Sequence, residues 1–380
     1  MHVAINAQLL STTQSYRSAG VSNYSRHLLQ QLGQNVQRQG TGLRLTAFVN
    51  DQRFLVDGVT VVASPSVLQN PLVRIVWEQS MLPLRLGQLR ADLVHGLVNV
   101  LPLATSTPGV VTVHDLSFLH KPEVLPAAKR IYLGRLCQAS VAKARQVIAV
   151  SRQTADDLMH HFAAPASKIN VIHNGVADQF TPGELENVQL FRRQRGLPER
   201  FLLYLGTLEP RKNLVFLIRA FARWQAQAAA RDQAVKLVLA GGKGWFYEEI
   251  FAAVKALALE DQVLFPGFIP EAELPSWYCA AEGFIYPSLF EGFGLPVLEA
   301  MACGAPVLCS RISSLLEIVE DSALTFPPHD EAALVAGIDA LTNQPPLRAT
   351  LRAKGLQRAN HFTWQRTAQA TLEVYRVVAG

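Results

Sequence analysis

The chain has 380 residues, of which 49% are hydrophobic and 17% charged, with a formal net charge of +5. That length exceeds one ordinary core and predicts two domains, while the apolar content excludes a disordered chain and the absence of any run of about 18 apolar residues excludes a spanning helix. The positive charge is uneven, with 16 Lys and Arg against 9 Asp and Glu in residues 1–180 and 19 against 21 afterwards, yet no dense basic block with interleaved aromatics presents itself to nucleic acid.

Residues 3–7 read as a first strand, followed by a polar stretch from Ser11 to Gly20 and a helix over about residues 21–39, with Tyr24, Leu28, Leu29 and Leu32 near helical spacing. The opening MHVAINAQLL has neither a basic start nor a long apolar segment, so no secretory signal is expected and a cytoplasmic location is. Gly20 lies where strand hands over to helix. In a doubly wound sheet that place holds a backbone-to-phosphate contact, although a simple loop glycine reads the same way. Apolar runs at 43–49, 59–62, 93–95, 110–113 and 147–150, several with helical patterns between them, predict a parallel sheet covered on both faces. Ligands bind beyond the carboxyl ends of such strands. The run 110–113 delivers His114 and Asp115 to that edge, either for chemistry or as a strand cap and a solvated carboxylate. Ser151 caps a helix over 152–162, residues 169–172 lead to a turn at Asn174 and Gly175, and the polar stretch 181–200 reads as a linker.

The second domain opens with a continuous apolar run, 201–205, expected as a buried central strand. Gly206 and Thr207 follow, then Arg211 and Lys212 as the next helix begins. Cations at a helix start oppose the macrodipole and ask for an anion such as a departing diphosphate, unless they form a surface pair. The strand at 236–240 ends in GGKG, which lacks the residue order of a P-loop. Strands at 263–265 and 284–287 lead to EGFGLPVLEAMACG, where Pro296 fits the first helical position, residues 297–303 continue the helix, Gly304 stops it and 305–309 form a strand. Gly292 and Gly294 let backbone approach a ligand closely, and a helix start is a phosphate seat. Glu291 and Glu299 flank that seat; they would repel a diphosphate but accept hydrogen bonds from hydroxyls. A nucleotide sugar, with phosphates in the middle and sugars on both sides, satisfies the layout; a glycine-rich turn with solvated glutamates is the alternative. The tail from residue 331 is helical, with Thr363 capping the last helix. Cys137, Cys279, Cys303 and Cys309 have no C-x-x-C spacing and read as buried thiols rather than a zinc site, and no D-x-D exists to hold a metal on a diphosphate.

The run EGFGLPVLE, from Glu291 to Glu299, resembles the E-x7-E motif of retaining glycosyltransferases, especially glycosyltransferase family 4. AGVSNYSRHLL, VVTVHDLSFLHKPE, FLLYLGTLEPRKN and the F-x-W of HFTW resemble further motifs of that family in the same order, and HNGVADQF matches its N-G-[VI]-D turn except that Ala177 precedes Asp178. The resemblance implies an α/β GT-B fold, two Rossmann-like domains with parallel sheets facing across a cleft. It implies an acceptor-binding domain over 1–180, a nucleotide-sugar domain over 181–362 and a helix, 363–380, crossing back to the first. It also implies retaining transfer without metal or cofactor, by front-face displacement. His114 would lie beside the transferred sugar, and Asp115 would position it or meet the acceptor. Arg211 and Lys212 would hold the diphosphate with Gly20, Gly206, Thr207, Gly292 and the backbone of Phe293, Gly294 and Leu295. Glu299 would take the ribose hydroxyls and Glu291 those of the sugar, with Phe268 and Ile269 against the base. Likeness to bacterial mannosyltransferases implies GDP-mannose as donor, with UDP-glucose next, and a glycan or polyprenyl-diphosphate-linked acceptor in polysaccharide biosynthesis. The basic first half is compatible with peripheral contact at the inner face of the cytoplasmic membrane. A nucleotide-sugar 2-epimerase shares the fold and is the alternative enzyme; a non-catalytic sugar-nucleotide binder would be expected to lack some of these residues, and a phosphorylase would need pyridoxal phosphate.

Overall fold

The computed structural model describes residues 1–11, 19–39, 42–51, 53–120, 127–228 and 235–380. Most of the polar stretch before Gly20 and the end of HDLSFLHKPE lie outside the described residues. The chain forms two compact units, Met1–Gly175 with Thr363–Gly380, and Val176–Phe362. The boundary expected after residue 180 therefore falls after Gly175.

The first unit runs β1 (His2–Ala7), α1 (Ala19–Gln39), β2 (Arg44–Val49), β3 (Thr60–Ala63), α2 (Pro71–Leu89), β4 (Leu93–Gly96), β5 (Gly109–Val113), α3 (Ser117–His120), α4 (Ala127–Lys143), β6 (Gln146–Ala149), α5 (Arg152–Phe162) and β7 (Ile169–Val171). Its seven strands pair in parallel in the order β3-β2-β1-β4-β5-β6-β7. Strands β1, β4 and β5 are buried at every position, as a sheet covered on both faces requires. One face packs Tyr24, Leu28 and Leu32 of α1; the other packs Leu82 and Leu86 of α2, Val141 of α4 and Leu158 of α5. Helix α2 starts where Pro71 takes an initial helical position and the Asn70 side chain accepts the N–H of Leu72. It continues past Pro83 and leaves Leu72, Val76 and Leu84 exposed.

The second unit runs α6 (Leu185–Arg195), β8 (Arg200–Leu205), α7 (Leu214–Ala228), β9 (Val235–Ala240), α8 (Glu248–Ala256), β10 (Val263–Gly267), α9 (Leu274–Ala280), β11 (Gly283–Tyr286), α10 (Leu295–Ala302), β12 (Val307–Ser310), α11 (Ser313–Val319), β13 (Leu324–Phe326), α12 (Glu331–Asn343) and α13 (Pro345–Ala359). All its strand pairs are parallel, in the order β10-β9-β8-β11-β12-β13. The expected linker is not one, because α6 occupies its middle and ends on Gly196 in the left-handed region, φ 59°. Its composition hid it: most of its positions are polar or charged and no α6 residue is buried, so it carries no strong apolar stripe. The last helix, α14 (Trp364–Ala379), belongs to the first unit, where Trp364, Leu372 and Tyr375 join the core of β1, β4 and α1.

In each sheet the strand order reverses beside its first strand, at β1/β4 and at β8/β11. Side chains carried beyond the carboxyl ends of those pairs face the crevice where doubly wound sheets hold ligands. Cys137, Cys303 and Cys309 are buried thiols as expected, but Cys279 is partly exposed, and its sulfur accepts the N–H of Gly183 at 3.2 Å. Among the described residues no helix is long and apolar enough to cross a membrane.

Candidate active site

Beyond β8 the chain passes Gly206 and Thr207 into a 3₁₀ turn, Pro210–Lys212, closed by Asn213 at φ 58°. This turn aims Arg211 and Lys212 at the end of β11. The two strand ends are tied by the N–H of Leu289, which donates to Arg211 O at 2.9 Å. Lys212 is buried; its Nζ donates to Glu291 Oε1 at 2.5 Å and to the Tyr286 hydroxyl at 2.8 Å. Arg211 Nη1 donates to Glu291 Oε2 at 3.0 Å and to Phe290 O at 2.7 Å, while its Nη2 and Nε reach Glu209 Oε1 at 2.7 and 3.1 Å. Ser288 Oγ also donates to Glu291.

Burial alone would raise the pKa of the Glu291 carboxyl, but the charges of Arg211 and Lys212 and the hydrogen bonds from Lys212 and Ser288 outweigh it and hold the pKa at about 2. Lys212 is shifted downwards, first by burial and then by Arg211, against the pull of Glu291. The cluster thus keeps a fully ionised carboxylate between two cations at the crevice of the second sheet. Adding an anion there would set it in competition with Glu291 for both cations.

Gly294 precedes α10 at φ 117°, a conformation that disfavours side chains, and a Cβ there would fall 2.4 Å from Leu315 Cδ2. The helix begins at Leu295, one residue ahead of the Pro296 start read from sequence, and Pro296 has no N–H to offer. Gly292 and Phe293 are buried, and Phe293 packs edge-on against Phe362 at 6.1 Å. Glu299 does not join the cation cluster; its Oε2 accepts the Tyr278 hydroxyl at 2.9 Å. Burial raises the Glu299 carboxyl to about 7, with the Tyr278 bond opposing and the charge of Glu271 adding. Ile269 is buried at the end of β10, whereas its neighbour Phe268 is 41% exposed. Gly206 has packing reasons of its own: a Cβ on it would meet the Tyr204 hydroxyl at 2.7 Å, and one on Gly241 would meet Gly206 O at 1.8 Å.

In the first unit His114 follows β5. Its Nε2 lies 2.8 Å from Leu97 O, so that nitrogen carries the proton and Nδ1 is left as the acceptor. Tyr24 of α1 packs edge-on to the ring at 4.6 Å. Burial moves His114 downwards, against the Leu97 carbonyl and the charge of Asp115, so the neutral ring dominates. Asp115 Oδ1 accepts the N–H of Ser117 at 2.8 Å and so caps α3. Gly20 is exposed in the first turn of α1, and a Cβ there would meet no described atom within 4 Å. Nothing in the described fold requires glycine at that position, so a requirement for one would have to come from a ligand.

Glu209, Ser288, Tyr286 and Tyr278 belong to these clusters without having been singled out from sequence. Glu209 and Ser288 lie two and three residues from Arg211 and Glu291, a proximity that could have drawn attention to them. Tyr278 meets Glu299 from α9 across 21 residues, a pairing that only the folded chain creates.

Two family profiles cover most of the chain: "Glycosyltransferase Family 4" matches residues 19–180 and "Glycosyl transferases group 1" matches residues 188–358. An O-antigen chain mannosyltransferase B of Escherichia coli is 32% identical over 270 residues, 71% of this chain and 70% of that protein. A sucrose-phosphate synthase from Thermosynechococcus elongatus superposes with a TM-score of 0.77 at 23% identity, covering 99% of this chain and 98% of that one. Anabaena HepE in complex with UDP-glucose superposes with a TM-score of 0.74 at 20% identity, covering 99% and 100%. With two parallel-sheet units, a cation and carboxylate cluster at the second sheet's crevice and these profiles in sequence order, the chain is a GT-B glycosyltransferase that belongs to glycosyltransferase family 4.

Proposed function

We propose that this glycosyltransferase moves mannose from GDP-mannose to a glycan or polyprenyl-diphosphate-linked glycan, with retention of configuration and without metal. The observation that carries the proposal is the Arg211–Lys212–Glu291 cluster at the β8/β11 crevice. The donor diphosphate draws Arg211 and Lys212 from Glu291, and the freed carboxylate takes hydroxyls of the sugar. Phe293, Gly294 and Leu295 offer backbone N–H groups at the start of α10, with Gly20, Gly206, Thr207 and Gly292 permitting close approach. Glu299 receives the ribose hydroxyls, while Phe268 and Ile269 flank the base. His114 and Asp115 serve the transferred sugar and the acceptor. The bond from the anomeric carbon to the diphosphate breaks, the acceptor oxygen bonds that carbon on the same face, and its proton passes to the departing phosphate oxygen. Arg211 and Lys212 stabilise the charge that grows there.

The E. coli relative named as a mannosyltransferase supports mannose. A second reading, transfer from UDP-glucose, is supported by the HepE complex. A thermal-shift panel of GDP, UDP, ADP and their sugars separates them, because a ligand that binds only the folded state raises its melting temperature. GDP and GDP-mannose are expected to stabilise most; a shift with UDP-glucose alone favours the second reading, and no shift with any nucleotide defeats both. The exposed Leu72, Val76 and Leu84 of α2 support a peripheral membrane contact, which co-sedimentation with anionic vesicles would reveal and Leu72→Asp would weaken.

A further inference from the structure

Three side chains of the first unit, remote in function from the diphosphate chemistry, bring metal-binding atoms together: His120 at the end of α3, and Asp157 and His161 on α5. One ligand atom from each lies within 4.8 Å of the others. Asp157 and His161 are four residues apart on one helix, so their side chains share a face. His120 Nε2 approaches Asp157 Oδ2 to 2.9 Å, and the rings of His120 and His161 stand nearly perpendicular with centroids 5.3 Å apart. Donors held about 2.0–2.1 Å from one tetrahedral zinc are spaced by roughly 3.3 Å, so small rotations of two exposed imidazoles would close the set.

The carboxylate is the independent sign of a ligand. Asp157 is 5% exposed, and its Oδ2, which makes no regular hydrogen bond, has the His120 ring nitrogen 2.9 Å away. Its other oxygen accepts Gln153 Nε2 at 2.8 Å, a contact that fixes the orientation of the carboxylate as outer partners do around metal ligands. A buried carboxylate oxygen facing imidazole nitrogens needs a positive charge to complete it, and while the rings are neutral a metal ion supplies that charge. Two imidazoles and one carboxylate suit zinc and its neighbours, leave a position for water, and are a poor match for magnesium or calcium, which favour all-oxygen shells.

We propose that His120, Asp157 and His161 bind a zinc-class divalent cation that pins α3 to α5. The consequence reaches the site, because α3 is the continuation of the loop that carries His114 and Asp115, and Thr154 of α5 already donates to His114 O at 3.4 Å. The ion acts by positioning that loop and takes no part in the transfer.

The test uses tag-free, chelator-treated full-length protein, titrated with Zn²⁺ by calorimetry and with Co²⁺ by visible absorption. One Zn²⁺ per chain and a cobalt ligand-field spectrum are expected, with no uptake of Mg²⁺. His161→Ala and Asp157→Asn should each weaken Zn²⁺ binding at least about tenfold, the scale attached even to outer-shell changes, whereas His329→Ala in the other unit should not. In hydrogen exchange, Zn²⁺ should slow residues 114–120 of the wild type and leave them unchanged in His161→Ala. His161 is exposed, so its loss spares the fold. No Zn²⁺ uptake by the wild type, or equal uptake by wild type and His161→Ala, overturns the proposal.

Discussion

Glu291 holds its charge inside the protein only because Lys212, Arg211 and Ser288 face it. Glu291→Gln keeps the shape and removes that charge, leaving Lys212 buried beside a neutral amide. Turnover with the correct donor should fall on the order of 10²-fold or more, the size of losing one preorganised charge contact, and Lys212→Ala should do the same. Near-normal kcat in both variants would remove the cluster from the chemistry. Glu299 behaves oppositely with pH. Its folded value of about 7 lies above the ordinary glutamate value of 4.5, so the native state holds the extra proton between them. Stability from this group is fully present below about 4.5 and declines as pH rises through 7. For Glu291, held at about 2, the contribution is present above about 4.5 and is lost as pH falls towards 2. Denaturant unfolding of wild type and Glu299→Gln should therefore diverge from pH 4.5 to 7.5, the wild type losing about 3 kcal/mol relative to the variant. Parallel curves would mean that Glu299 ionises normally. The acidic pair and the two cations were legible in the sequence because the motif supplies them; their environments were not, since the strand end beneath Glu291 and the α9 tyrosine beside Glu299 come from distant segments.

At the scale of elements, α10 depends on one backbone conformation. Gly294→Ala must accept φ 117° and a Cβ 2.4 Å from Leu315 Cδ2, so it should lower stability by about 1–3 kcal/mol, and it should weaken nucleotide binding as the N–H seat moves. A variant with unchanged melting temperature and unchanged nucleotide affinity would contradict this account. All strands but β13 were readable from apolar runs, because the central strands of a sheet covered on both faces bury every position, whereas their order in the two sheets came from the fold. Helix α6 was not readable, for its few apolar residues stay unburied, most of its positions are polar or charged, and its Gly and Pro flanks resemble a linker. Helix α2 likewise carries Pro83 inside it, a residue that in isolation argues for a break.

For the whole molecule, the return of α14 matters most. Its Tyr375 hydroxyl lies 2.6 Å from His95 Nδ1, and His95 Nε2 lies 2.8 Å from Thr112 Oγ1, which Tyr24 also reaches at 3.0 Å. Burial takes His95 down to about 3, so this network stays neutral at any working pH. Deleting residues 363–380 removes Trp364, Leu372 and Tyr375 from one core; large buried side chains cost roughly 3–5 kcal/mol each, enough together to exceed the stability of a typical domain. Calorimetry of the truncated chain should show the first unit without a cooperative transition, while the second still melts cooperatively and is still stabilised by nucleotide. An unchanged first transition would refute that role. The sequence by itself determined the α/β class, most of the strands, the caps at Ser151 and Thr363 and the trio Arg211, Lys212 and Glu291, because periodicity, turn chemistry and short motifs act over a few neighbours. Only the tertiary structure decided that the chain leaves its first unit at Gly175, that Glu291 is ionised while Glu299 holds its proton until near neutrality, and that His120 meets Asp157 and His161. Burial and long-range pairing set those outcomes, and neither is encoded in any local stretch.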